Sequence, residues 1–172
     1  ISGRYFRTTA LLLVSGITLL GLILMYFCVG YFRTESENTL LTNVRSLRDN
    51  FSTVSMEDAD QMKEHPYVEQ AVRVVANATG SIFFVTDNYG KILYCSDSSG
   101  AVDTSRAVSS KILNRAFSDG EYAELGELSG IYSHSYYTAG CPLINDSSRI
   151  IGYVFASRDA ASLTSFLESI FS

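Results

Sequence analysis

The chain has 172 residues, room for one ordinary domain with a segment to spare and too few for two full-sized domains. Its 13 Lys and Arg against 18 Asp and Glu give a net charge of -5, so no global basic field draws it to nucleic acid and that class is disfavoured. Hydrophobic residues make up 47% and charged residues only 18%, with a mean hydropathy of +0.13, so part of the apolar content belongs outside a soluble core.

The excess lies at the N-terminus. No charged residue stands between Arg7 and Arg33, and residues 10–32 form a 23-residue run in which thirteen positions are Leu, Ile, Val or Phe. That is long enough to span a bilayer, and those thirteen side chains contribute roughly -4 to -8 kcal/mol to insertion. A cleaved signal peptide needs a shorter apolar region and a small-residue cleavage site, but Tyr26, Phe27, Tyr31 and Phe32 stand where small residues are required. Residues 1–33 carry Arg4, Arg7 and Arg33 and no acid, a balance of +3 against -5 for the whole chain, which leaves -8 for residues 34–172. The positive-inside rule then puts residues 1–33 down as cytoplasmic N-terminus and transmembrane helix, and residues 34–172 as extracytoplasmic. Residue 1 is Ile and not Met, so the sequence is expected to be a trimmed piece of a longer chain.

Beyond the anchor, Leu40, Val44, Leu47, Phe51 and Val54 recur at spacings of 4, 3, 4 and 3. Two readings stand: a dimer stalk of coiled-coil type, or a helix whose stripe packs on its own domain. Helical sequence continues to Glu64, is broken at His65-Pro66, and resumes from Tyr67 to Ala78 before Gly80 ends it. The pattern then becomes a hairpin of strands at 81–87 and 91–96 joined through Asn88-Tyr89-Gly90. A polar loop over 97–105 leads to a short helix at 105–117, a strand at 121–125, a Tyr-rich strand at 130–143, and a strand at 149–157. Residues 159–171 carry Leu163, Phe166, Leu167, Ile170 and Phe171 at helical spacing and read as a helix returning to a second span not in the chain. The order implies an α+β fold with a five-stranded antiparallel sheet, the N-terminal helices covering one face and segment 97–120 the other.

Three stretches carry a resemblance: 81–97, 136–159, and the membrane helix running into the long helix before them. They resemble the extracytoplasmic single Cache (PDC, PAS-like) sensor domain of bacterial transmembrane receptors, most of all sensor histidine kinases of Gram-positive bacteria. The likeness covers about residues 8–172. It implies a PAS-like sheet flanked by helices over residues 34–158, a second transmembrane helix beyond Ser172, and a cytoplasmic signalling module after that. The Trp-containing amino-acid recognition motif of some Cache receptors has no counterpart, because the chain has no Trp.

No catalytic residue is expected. Neither His65 nor His134 sits in a phosphoacceptor context, and P-loop, G-x-G-x-x-G, H-E-x-x-H and G-x-S-x-G patterns are missing from the sequence. No cofactor or metal is expected either, since Glu64, His65 and Glu69 make a poor ligand set. Acidic runs at Glu57, Asp58, Asp60 and Glu64, and at Glu121, Glu124 and Glu127, read first as solvated faces and second as sites for cations or cationic peptides.

Cys28 falls within the span, while Cys95 and Cys141 lie where disulfides are permitted; they either pair, adding about 4 kcal/mol by loop closure, or stay as buried thiols. For ligand binding, strand alternation over 131–137 sends Tyr132, His134 and Tyr136 to one face, where they either line a pocket for a small polar ligand or lie on a covered sheet face. Arg106 and Arg149 are candidates for a carboxylate clamp.

The expected function is therefore signal sensing outside the membrane by a sensor histidine kinase, with a bilayer, a second copy of the chain and an unknown small extracellular ligand as partners. A chemotaxis transducer, a diguanylate cyclase and an anchored surface binding protein are the alternatives.

Overall fold

The computed structural model describes residues 2–52 and 59–161. The chain forms two units, Ile1–Glu35 and Ser36–Ser172.

The first unit is the N-terminal part of helix α1, which runs Ser2–Ser52. Its large apolar side chains, from Leu11 through Ile17, Leu22 and Phe27 to Tyr31, are exposed on every side, and the helix is long and apolar enough to cross a membrane. At 1.5 Å per residue, positions 10–32 cover about 35 Å, against a hydrocarbon core of about 30 Å. Within and beside this stretch, Thr9, Ser15, Thr18 and Thr34 each donate to a carbonyl three or four residues earlier, so their hydroxyls are satisfied by the helix itself.

In the second unit, α2 (Ala59–Glu64) and α3 (Pro66–Thr79) are separated at His65, which caps α3 by accepting from the Tyr67 N–H; Pro66 occupies the first helical position and Gly80 closes the helix at φ 62°. The sheet follows: β1 (Ile82–Thr86), β2 (Ile92–Cys95), β3 (Tyr122–Gly126), β4 (Tyr136–Ile144) and β5 (Ile150–Asp159), with helix α4 (Ser110–Asp119) between β2 and β3. All pairings are antiparallel, in the order β2-β1-β5-β4-β3. This is the expected α+β architecture. The β1–β2 turn depends on Gly90, whose φ is 86° and where an added Cβ would stand 2.3 Å from the Val108 carbonyl oxygen.

Alternation divides the sheet into two buried faces, which is why β4 and β5 are apolar almost throughout. On one face, Phe83, Val85, Ala139, Cys141, Leu143 and Val154 pack against α1 and α3. On the other, Phe84, Tyr136, Tyr153 and Phe155 meet Val102, Val108, Leu113 and Ile131 from the connecting segments. Each face thus has the cover expected of it.

Two readings that the sequence left open are decided, and two others change. The stripe of Leu40, Val44, Leu47 and Phe51 is buried against the chain's own sheet, each residue no more than 4% exposed, so these side chains are core and do not form a stalk surface; Val54 lies outside the described residues, as do Glu57, Asp58 and all but the first residues of the 159–172 helix. Cys95 and Cys141 are both free thiols. They sit on β2 and β4, three strand spacings or about 14 Å apart, and on opposite faces of the sheet, so a disulfide cannot bridge them. The short helix begins at Ser110 and not at 105, because the Asp103 carboxylate turns the chain by accepting from Ser105, and the Val108 N–H donates to Gly90 O at 2.9 Å, holding 107–108 against the hairpin. Residues 130–135 are a turn and not the start of β4.

Candidate functional site

The connection between β3 and β4, residues 127–135, builds the aromatic cluster. Leu128, Ser129 and Gly130 all have positive φ (47°, 58° and 84°), and the N–H groups of Gly130 and Tyr132 both donate to Glu127 O, at 3.0 and 3.1 Å. This tight turn drives Tyr132 inward to 2% exposure, where its ring stacks on Tyr136 with centroids 4.0 Å apart. His134 remains exposed, 4.8 Å from the Tyr136 ring, and its Nε2 lies 3.1 Å from Asp159 Oδ1. Tyr132, His134 and Tyr136 therefore meet as the sequence suggested, but through a turn and not through strand alternation. The two tyrosine rings fill their space instead of lining an open one.

The arginines do not join as a clamp. Arg106 pairs with Asp103 at 3.2 Å and reaches Gly130, where an added Cβ would stand 2.7 Å from Nη1. Arg149 lies in the β4–β5 turn, whose Asn145 accepts the Arg149 N–H at 2.9 Å. The whole length of β4, about 27 Å, separates it from Tyr136.

The open space is elsewhere. A cleft of about 210 Å³ lies between the first turns of α4 and the β3–β4 edge of the sheet, walled by Glu127, Leu128 and Ser129 and floored by Thr138. Of its four charged groups, Lys111 and Arg115 were not candidates in the sequence, and Glu124 and Glu127 appeared there in an acidic run read first as a solvated face and second as a site for cations or cationic peptides. Arg115 contacts Glu124 at 3.3 Å and lies over the Tyr122 ring at 5.4 Å, while the Tyr122 hydroxyl donates to the same Glu124 oxygen at 2.6 Å. Burial, followed by that hydrogen bond to a carboxylate, raises the Tyr122 pKa and keeps the phenol a donor. Lys111 and Glu127 also line the cleft, and neither makes an ion pair among the described residues. The α4 N-cap, Ser109, makes no side-chain cap; its hydroxyl instead meets that of Ser129 at 3.1 Å, and no acid occupies the first helical turn. The cleft lining thus carries the Lys111 ammonium and the Glu127 carboxylate, neither in an ion pair among the described residues, beside an α4 N-terminus without a side-chain cap. The alternation of Tyr122 and Glu124 on β3 and the 3.6-residue spacing of Lys111 and Arg115 on α4 were visible in the sequence; their convergence required the pairing of β3 with β4.

No family model matches the sequence, and no match to a curated protein is found. The fold does match solved structures. The sensor domain of DcuS from E. coli superposes with a TM-score of 0.57 at 12% identity, covering 79% of this chain and 97% of that one. The ligand-binding domain of the Campylobacter jejuni chemoreceptor Tlp3, solved in complex with L-valine, gives a TM-score of 0.57 at 15% identity over 78% of this chain and 55% of that one. The Tlp3 sensory domain with isoleucine bound gives the same TM-score at 14% identity. The chain has the fold of extracytoplasmic sensor domains of the Cache type, as the resemblance implied.

Proposed function

We propose that this chain is the ligand-sensing region of a membrane-bound receptor, with residues 1–33 as cytoplasmic N-terminus and anchor, residues 34–158 as the extracytoplasmic sensor, and residues 159–172 returning toward a second span. The two unlike charges of the cleft lining carry the reading: the Lys111 ammonium at the uncapped α4 N-terminus suits a carboxylate, and the Glu127 carboxylate suits a cation. A small molecule bearing both groups, such as an amino acid, is complementary to that layout. The sheet and helices supply the scaffold, and ligand binding acts by favouring one packing of them over another.

The test is a thermal-shift screen of the full chain in lipid nanodiscs against the common L-amino acids, C4 dicarboxylates and divalent cations. A ligand at a hundred times its Kd stabilises by about 2.7 kcal/mol. An amino acid that raises the melting temperature in the wild type, with the effect lost in Lys111→Ala and Glu127→Gln, supports the reading; no shift with any of the three classes overturns it.

For the output, a sensor histidine kinase is the leading proposal, resting on the resemblance of segments 81–97 and 136–159. A chemotaxis transducer is the second reading, favoured by the likeness to the Tlp3 domain. Sequencing the reading frame past Ser172 separates them: a second apolar span followed by a His-acid-x-Arg-x-Pro box supports the kinase, and a different cytoplasmic module or a stop codon rejects it.

A further inference from the structure

Residues 127–135 touch three places at once. Their first residues wall the cleft. Their middle puts Tyr132 into the core, where its buried hydroxyl meets Ser157 without the geometry of a full hydrogen bond. Ser157 is already engaged with Thr138 at 2.9 Å, and Thr138 is the cleft floor. Their last residues hold the end of β5: His134 lies 3.1 Å from Asp159, and Ser135 O accepts the Ala160 N–H at 3.3 Å. Asp159 in turn accepts the Ala161 N–H at 2.8 Å, so the residue clasped by His134 is the one that directs the chain out of the sheet.

Two features make this loop costly to keep closed. Leu128 and Ser129 are non-glycine residues held in the left-handed region. The Tyr132 hydroxyl has given up water for a contact with Ser157 that falls short of full hydrogen-bond geometry. Against them stand the Tyr132–Tyr136 stack, the Asp103 N–H donated to Ile131 O at 3.0 Å, and the His134–Asp159 clasp.

We propose that Glu127–Ser135 is a strap that opens and closes as one unit, fastening the cleft wall to the end of β5, with Tyr132 as its plug and His134–Asp159 as its clasp. Taking the cleft as the ligand site, as proposed above, a molecule held by Glu127 and Ser129 then changes the hold on Asp159 without touching it.

Native-state hydrogen exchange on the full chain in nanodiscs tests this without any ligand. The reporters are the amides of Gly130 and Tyr132 at the cleft end, Asp103 on the middle, and Ala160 at the clasp, with Val154 in the central ladder as a control for global stability. Cutting the clasp by His134→Ala is expected to speed all four reporters by a common factor of about three to ten while Val154 keeps its wild-type rate. Removing this poorly bonded buried hydroxyl by Tyr132→Phe is expected to slow all four, by about fivefold or more. The strap is overturned if His134→Ala accelerates Ala160 alone, if the four reporters move by different factors, or if Tyr132→Phe leaves them unchanged or speeds them. If the four move together and the thermal-shift screen finds no ligand, the strap stands and the ligand reading fails; if a ligand is found but Gly130 and Ala160 exchange independently, the reverse holds.

Discussion

The Cys141 thiol on β4 donates to the backbone carbonyl of Val44 on α1 across 3.7 Å, both fully buried. A cysteine that the sequence left between a disulfide and a buried thiol, and a valine that it left between a dimer stalk and a stripe packed on its own domain, are neighbours in one core.

Burial in that core pushes the Cys141 thiol up to about 12, and burial pushes Cys95 up to about 11 despite the backbone hydrogen bond from Asp97. Neither thiol is expected to react with iodoacetamide at about pH 8 in the folded chain, and both are expected to react in denaturant. Peptide mass spectrometry of the unreduced protein checks the second half of the claim: a Cys95–Cys141 crosslink would refute this arrangement.

Leu47 is fully buried beneath the sheet. Leu47→Ala is expected to destabilise the sensor unit by about 2–5 kcal/mol, the range for emptying a packed leucine site. The measurement is thermal or chemical unfolding of the full chain; a melting temperature equal to wild type, with only self-association reduced, would restore the stalk reading.

The Arg45 guanidinium hydrogen-bonds the Glu121 carboxylate, tying α1 to the start of β3, and holds that carboxyl below its usual range although burial opposes the shift. The sign follows by linkage: a depressed carboxyl pKa stabilises the fold above the unfolded value, near 4.3, and that stability is lost as pH falls through the lower folded value. Melting temperatures across about pH 3 to 7 are expected to separate wild type from Glu121→Gln at neutral pH and to converge at the acid end. Curves that stay parallel would show that the tie contributes nothing.

Gly90→Ala introduces a Cβ 2.3 Å from a backbone oxygen at a φ of 86°. The same contact region holds the Val108 N–H on Gly90 O. A loss of about 1–3 kcal/mol is expected, read as a lowered unfolding midpoint, because neither the turn nor residues 107–108 can shift without breaking that hydrogen bond.

Much of the fold was legible because its signals are local. His65-Pro66 and Gly80 bracket α3, Gly90 turns the hairpin, and short apolar runs rich in β-branched and aromatic residues mark β1 and β5; each depends on chemistry within a few residues. The site was legible only in part. Tyr132, His134 and Tyr136 do cluster, yet the turn at Leu128–Gly130 that brings them together uses two non-glycine residues at positive φ, and no residue-type preference announces such a turn.

By itself the sequence determined the apolar N-terminal helix, the order of the elements and the antiparallel α+β class, since hydrophobic periodicity and turn residues act at short range. Tertiary structure decided which faces meet. A heptad stripe is equally satisfied by a second helix or by a sheet, because apolar burial is non-directional, and only the placement of α1 over β4 and β5 gave Leu40, Val44, Leu47 and Phe51 to the core. The separation of Cys95 from Cys141 and the convergence of Lys111, Arg115, Glu124 and Glu127 on one cleft likewise follow from the strand order β2-β1-β5-β4-β3, which is a long-range pairing that no local pattern encodes.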